Sequence, residues 1–220
     1  MKRLLDLAVA GLLTLLLLPL GLLVALLLAF APPAEPRGTT DGGGQSAQSL
    51  AGRLLVAREE LRDPNFHRTV IFLLEHDPRG AMGLVINRRL GGVPLKELLE
   101  EMGVDVEAAD AEIAAHYGGP VDPERSFLLH SDDAMLETSQ KLPGGFAVSV
   151  DPEMLRRILE GGGPKDFRFI LGYAGWGPGQ LEAEIARGTW WDVEADPALV
   201  FEAEVATIWQ RALDLRGVDL

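Results

Sequence analysis

Hydrophobic and polar positions follow three different regimes along this chain. Residues 7–31 carry no charge and are dominated by Leu. At helical rise this stretch spans roughly 37 Å, enough to cross the hydrocarbon core of a bilayer with some tilt. No charged position gives it a solvent face. The pattern predicts one N-terminal transmembrane helix within segment 1–31, retained as an anchor or, as the second reading, cleaved as a signal. Ala29-Phe30-Ala31 has the small-x-small form of a cleavage site, but Pro32 would follow the cut, and the apolar core exceeds the ~7–15 residues of a secretory signal. Residues 32–49, with Gly42-Gly43-Gly44 at the centre and almost no apolar content, read as a disordered linker. From residue 50 to 220, short apolar runs alternate with turn residues, the pattern of one domain.

Within that domain, residues 54–57 predict a first strand. Residues 68–75 predict a second, β-branched and nearly continuous, hence central and buried on both faces. His76-Asp77-Pro78-Arg79-Gly80 is a turn, and 81–87 a third strand that should pair antiparallel with the second. A helix follows over 94–102, opened by Pro94 and stopped by Gly103, and a second over 107–115. Residues 126–130 and 146–150 are strands. Asp151 caps a helix that runs to Glu160 and stops at Gly161. Residues 167–171 form a strand that enters a glycine elbow, 179–186 the helix that leaves it, and 190–193 an edge strand. The closing helix, 202–216, carries Val205, Ile208, Trp209, Ala212 and Leu213 on one face. Strands intermixed with helices and at least one hairpin predict an α+β or mixed sheet rather than a doubly wound parallel one.

Charge narrows the function. The net charge is −13. Ahead of residue 50, Lys2, Arg3 and Arg37 are balanced by Asp6, Glu35 and Asp41, so the whole excess sits on the domain. Such a body repels nucleic acid, and the basic pairs Arg88-Arg89 and Arg156-Arg157 are too short to track phosphates. No direct nucleic-acid binding is expected. Lys2 and Arg3 precede the span and only Arg37 follows it closely, which places the domain outside the cytoplasm by the positive-inside rule. The chain has no cysteine, which removes disulfides, thiolate nucleophiles and cysteine metal sites.

Two runs stand out. One is Asp63-Pro64-Asn65-Phe66 with Arg68-Thr69-Val70, Glu75-His76 and the stretch from Gly80 to Arg88. The other is the elbow Gly172-Tyr173-Ala174-Gly175-Trp176-Gly177-Pro178-Gly179-Gln180-Leu181-Glu182, with Glu184 beyond it. Between them lie Gly118-Gly119-Pro120-Val121 and Leu129-His130. In this order they resemble the YqgE/AlgH family of bacterial proteins, often labelled transcriptional regulators, over nearly all of 50–220. The resemblance implies a branched, mixed β-sheet surrounded by helices, and no established catalytic residues. That family is usually cytoplasmic and lacks the hydrophobic N-terminus, so the membrane-anchored, single-pass placement leaves the side of the domain open.

The candidate ligand-binding residues are Asn87, Arg88, Gly175, Trp176, Gly177, Gly179, His76 and His130. A glycine-rich loop that opens a helix offers free N–H groups to an anion. Here it lacks the Lys-Ser/Thr pair of a P-loop, and Pro178 removes a donor. The structural alternative is a corner with Trp176 packed as its lid. His76 and His130 each end a predicted strand, where they either reach one rim or bond to loops. Asn87 and Arg88 either bind a carboxylate or phosphate or tie down a turn. No metal, cofactor or catalytic set is expected: there is no His-Glu-x-x-His helix and no Gly-x-Ser-x-Gly nucleophile turn. The sequence therefore predicts a regulatory or interaction domain, tethered to the membrane through its N-terminal helix and acting through an unknown protein or small-molecule partner. The rival is a small-molecule or nucleotide-binding enzyme built around the elbow at 172–182.

Overall fold

The computed structural model describes residues 49–104 and 111–215. The chain divides into two units, Met1–Ser46 and Ala47–Leu220, and the described residues belong to the second. Among them ten strands make one curled sheet: β1 (Arg53–Ala57), β2 (Val70–Asp77), β3 (Gly80–Val85), β4 (Arg89–Pro94), β5 (Glu112–Tyr117), β6 (Val121–Ser131), β7 (Gln140–Leu142), β8 (Phe146–Ser149), β9 (Phe167–Trp176) and β10 (Trp190–Glu194). The helices are α1 (Leu95–Glu101), α2 (Pro152–Leu159), α3 (Gln180–Ala186) and α4 (Ile208–Leu215), with a π-turn at Ala198–Glu202 and a 3₁₀ turn at Val205–Thr207. The fold is α+β.

The order β10-β1-β2-β3-β9-β6-β8-β7 is antiparallel throughout, and a side branch β4-β5 joins it at β9. One edge of β9 has two partners in succession. Phe169, Ile170 and Leu171 pair in parallel with Ala115, His116 and Tyr117 of β5, whereas Ala174, Gly175 and Trp176 pair with Gly83, Met82 and Ala81 of β3. Where β5 gives way to β3, the chain turns through Gly118-Gly119. The Gly118 carbonyl accepts from Val85 N–H, and its own N–H donates to Leu171. There is no room for a side chain at this crossing. A Cβ on Gly118 would lie 2.1 Å from the Gly172 oxygen, and one on Gly119 2.2 Å from the Tyr173 carbonyl carbon.

Burial follows from the alternation of side chains across each strand. One face of the sheet presents Leu54, Val56, Phe72, Leu84, Leu129, Phe146 and Ile170 to the C-terminal segment, which contributes Leu199, Val200, Ile208, Trp209 and Ala212. The opposite face is divided. Leu55, Ile71, Leu73 and Ala174 pack under α3 with Trp176, Leu181 and Trp190. Ala115, Leu128 and Phe169 pack under α1 and α2 with Leu95, Leu99, Met154 and Leu155.

Several expectations need correction. Residues 112–115, read as helical, are strand β5, because pairing on both sides outweighs local propensity. Strands β4 and β7 carried no legible alternation. The glycine elbow is later than expected: β9 runs unbroken through Gly172 to Trp176, and the turn is confined to Gly177-Pro178-Gly179. The closing helix begins only at Ile208. The hairpin β2–β3, the Asp151 cap, whose carboxylate accepts from Glu153 N–H at 3.0 Å, and the edge position of β10 are as expected. The membrane-anchored, single-pass placement is also corrected. Among the described residues no helix is long and apolar enough to cross a membrane, and the apolar stretch 7–31 on which the expectation rested lies outside them.

Candidate functional site

Three separate places in the sheet hold the residues singled out from the sequence. The first is the turn from β9 into α3. Trp176 and His76 both face Ala81 across strand pairs, so they lie in one row over β2, β3 and β9. His76 Nδ1 accepts from Leu50 N–H at 3.0 Å, which leaves Nε2 to donate to Glu182 at 3.1 Å. The Glu182 carboxyl is held below its usual range by its own backbone N–H, helped by His76. Trp176 is buried, and its indole N–H donates to Glu184 Oε2 at 2.9 Å. The same oxygen accepts from Trp190 at 2.8 Å, and Glu184 Oε1 accepts from Gln180 at 3.0 Å. The two indoles meet edge to face, 6.2 Å between centroids. Gly179 has φ 71° and caps α3 in the left-handed region that favours glycine. Gly175 and Gly177 are different. Neither has a positive φ, and a Cβ on either would meet nothing nearer than 3.5 Å.

The second place lies beyond the other end of β3, roughly 20 Å along the strand from the first. Asn87 continues the ladder with its side chain: Oδ1 accepts from Val70 N–H at 2.8 Å and Nδ2 donates to the Arg68 carbonyl at 2.9 Å. This bridges the end of β2, where Arg68 takes φ 53°, an unusual conformation for a long side chain. Arg88 donates to the carbonyls of Pro64 (3.0 Å) and His67 (3.1 Å). Its guanidinium lies 5.8 Å from the Tyr117 ring, whose hydroxyl donates to Asn65 at 3.2 Å. Burial raises the Tyr117 phenol above its ordinary value. The Asp63 carboxylate closes an Asx turn on Asn65 N–H at 2.8 Å. Asn87 and Arg88 thus clamp the loop 63–69, and they do so through its backbone.

His130 is alone in the third place, fully buried on β6. Its Nδ1 donates to the Ser131 carbonyl at 2.8 Å, so Nε2 must accept, and Ser149 Oγ donates to it at 2.9 Å. Ser139 Oγ lies 2.7 Å from Ser149 Oγ and itself accepts from Leu136 N–H. Burial depresses the His130 imidazole below its ordinary value. The eight residues therefore do not converge on one pocket. A cleft beside this region, lined by Ser126, Ser149, Asp151 and Phe169 among others, has a volume of about 10 Å³, room for a single water. Among the described residues no three His, Asp or Glu side chains are grouped to hold a metal.

One polar pair escaped the sequence reading. Arg168 on β9 and His116 on β5 are both buried. Arg168 Nη1 donates to His116 Nε2 at 3.1 Å, Nε to the Val200 carbonyl and Nη2 to the Ala203 carbonyl at 3.4 Å. Among the described residues no carboxylate is paired with it. The available signal was a lone charge within Phe167-Arg168-Phe169-Ile170-Leu171, a strand otherwise apolar throughout.

Comparison with known proteins accounts for these motifs. The AlgH-like family model matches residues 54–220. A UPF0301 protein of Methylococcus capsulatus is 40% identical over 189 residues, 86% of this chain and 99% of that protein. One of Myxococcus xanthus is 44% identical over 174 residues, 78% and 93% of the two chains. The solution structure of the AlgH protein from Pseudomonas aeruginosa superposes with a TM-score of 0.65 at 36% identity, covering 81% of this chain and 94% of that one. A crystal structure from Corynebacterium diphtheriae, 22% identical with a TM-score of 0.58, shares the fold. The shared region makes up nearly the whole of these relatives, so the likeness lends a membrane anchor no support. By family model, by sequence and by fold, the chain belongs to the AlgH-like family of uncharacterised proteins.

Proposed function

We propose that this chain is a non-catalytic interaction domain that works by binding a protein or small-molecule partner, and that any effect on transcription is indirect. The observation that carries this reading is how the motif side chains are spent. Asn87 and Arg88 bond to backbone, His130 to a carbonyl and a serine, and Glu184 to two indoles. These contacts hold loops and strands in place, and the one serine–imidazole–carbonyl series among them, Ser149–His130–Ser131, has its serine and imidazole buried at 2% and 0% exposure, out of reach of a substrate. Against DNA stand the net charge of −13 and the engagement of three of the four arginines in the basic pairs. Arg88 is committed to loop carbonyls, Arg156 to Glu153 and Glu160, and Arg157 lies 3.5 Å from Glu153.

A second reading keeps one specific observation in its favour. Gly177 is glycine without any conformational or packing need, so the β9–α3 turn leaves room beside its backbone for a small molecule or nucleotide, which would displace the Gln180 side chain from the Gly177 N–H. A thermal-shift screen with nucleotides and divalent cations, run beside fluorescence anisotropy with duplex DNA at low salt, separates the readings. The interaction reading expects no shift and no anisotropy change. Stabilisation by a nucleotide that Gly177→Ala abolishes would replace it with the second reading, and salt-sensitive DNA binding would overturn both.

A further inference from the structure

The C-terminal segment, from the π-turn at Ala198–Glu202 through α4, packs in one core cluster with residues of β1, β2, β3, β6, β8 and β9. It is tied down by two buried side-chain hydrogen-bond anchors. Trp209 Nε1 donates to the Ala57 carbonyl at 2.7 Å. The other anchor is Arg168, which reaches out of β9 to the carbonyls of Val200 and Ala203 at the end of the π-turn. Carbonyls at the C-terminal end of a helical turn favour a cation.

Arg168 is an expensive anchor. A guanidinium does not lose its proton in a protein, and a buried charge without a counter-ion costs several kcal/mol. Its third partner is the Nε2 of His116. Because Arg168 can only donate, this nitrogen must be bare, and the His116 proton sits on Nδ1, which donates to the Phe169 carbonyl at 3.2 Å. The His116–Arg168 contact therefore exists for one tautomer of neutral His116 and for no other state.

We propose that the His116–Arg168 pair is an acid-sensitive latch: a proton on His116 Nε2 releases the segment 198–215 from the sheet while the sheet stays folded. A second proton would place an N–H against an N–H, and a charge against a charge, across a 3.1 Å contact. The charged groups acting on His116 are all cationic: Arg168 on β9 and Arg89, its partner across the β4–β5 ladder. The covering segment faces the pair with carbonyls, and its acids Glu202, Glu204 and Asp214 are exposed. Only the backbone carbonyls of Phe169 and Ala114 favour an imidazolium, and burial and the two cations outweigh them. Burial, with Arg168 next, already holds the imidazole below its ordinary value. When the proton does arrive, His116 is fixed within a strand paired on both sides, whereas the segment is a π-turn, a 3₁₀ turn and a helix of eight residues. The segment is the part that yields. Its release bares Leu54, Val56, Phe72 and Phe146.

Hydrogen exchange on the full chain, as protection factors corrected for intrinsic rates, tests the latch. Between pH 7.5 and 5.5 protection over 198–215 should fall by up to about tenfold, starting from a level below that of β2 and β6 because the segment opens without them. His116→Gln, whose amide oxygen still accepts from Arg168 but does not titrate, should abolish the fall. NMR should show His116 as the Nδ1–H tautomer, titrating below 6.5. A segment whose protection equals that of β2 and β6 at every pH would overturn the latch, because it would then open only with the whole domain. So would a pH response that survives in His116→Gln, or a His116 that titrates at or above its ordinary value.

Discussion

Replacing Glu184 by Ala tests whether the β9–α3 turn is a corner of the fold. Glu184 Oε2 is the acceptor given for both Trp176 Nε1 and Trp190 Nε1, at 2.9 and 2.8 Å. Both tryptophans are buried, at 7% and 3% exposure, so neither indole N–H turns to water without unpacking its ring. A buried donor left without a partner costs about 1–3 kcal/mol. Two of them bring Glu184→Ala to about 2–5 kcal/mol once some relaxation is allowed. That is a large part of the ~5–15 kcal/mol that holds a domain together. Glu184→Gln keeps one oxygen where both indoles point and puts its amide against Gln180, so it should cost about 1 kcal/mol. Urea unfolding followed by far-UV circular dichroism, with the m-value checked for constancy, reads the difference. If Glu184→Ala costs less than about 0.5 kcal/mol, or if Ala and Gln are equivalent, the indole clamp is not what holds this turn.

Gly118→Ala should leave little or no folded protein, since its Cβ would fall 2.1 Å from the Gly172 oxygen, whereas Gly177→Ala, with open space and no positive φ, should stay within about 0.5 kcal/mol of the parent in the same unfolding assay. Asn87→Ala removes the acceptor of Val70 N–H and the donor to the Arg68 carbonyl, and should cost about 1–3 kcal/mol, with faster hydrogen exchange over 63–70. His130 and His116 are both held below the ordinary imidazole value by burial. The unfolded chain then takes up protons near pH 6.5 that the native state refuses, so stability is full above that pH and falls as the pH drops below it. The slope is up to about 1.4 kcal/mol per pH unit for each excluded proton, and it levels off once the native values are passed. Urea midpoints between pH 7.5 and 5 check it, and a flat profile would refute the burial argument.

What the sequence made legible was what local chemistry decides. The β2–β3 hairpin followed from two apolar runs separated by Asp77-Pro78-Arg79-Gly80, and α2 from Asp151-Pro152 at one end and Gly161 at the other. What it hid was what distant pairing decides. Residues 112–117 carry helix formers yet lie between β4 and β9, and only that placement makes them a strand. Gly172 reads as the start of a turn because its φ of 73° is a turn value. In the structure that conformation serves the branch point, where the strand must pass Gly119 at backbone contact. For the candidate residues the types were legible and the grouping was not. His76, Asn87 and His130 all stand near strand ends, but nothing local says which end of the sheet each end occupies.

The distinctive motifs of this family are bound up with its least ordinary structural features. Gly118-Gly119 and Gly172 let three strands meet where a sheet normally allows two. Asn87 and Arg88 fasten a loop whose exit needs a positive φ at Arg68. Trp176 and Glu184 fix the helix that closes one half of the core. Each motif thus has a sufficient reason in the fold, which removes the usual inference from a distinctive motif to a reactive site. A residue that function alone explains has to be sought where structure asks for nothing. Gly177 meets that test at the surface. The Arg168–His116 pair meets it in the core, since an apolar pair of similar volume there is often at least as stable as buried charge. Under the proposed interaction role, activity screens aimed at the conspicuous motifs would probe the scaffold, and the turn at Gly177 and the segment held by Arg168 would be where a partner or a change of pH acts.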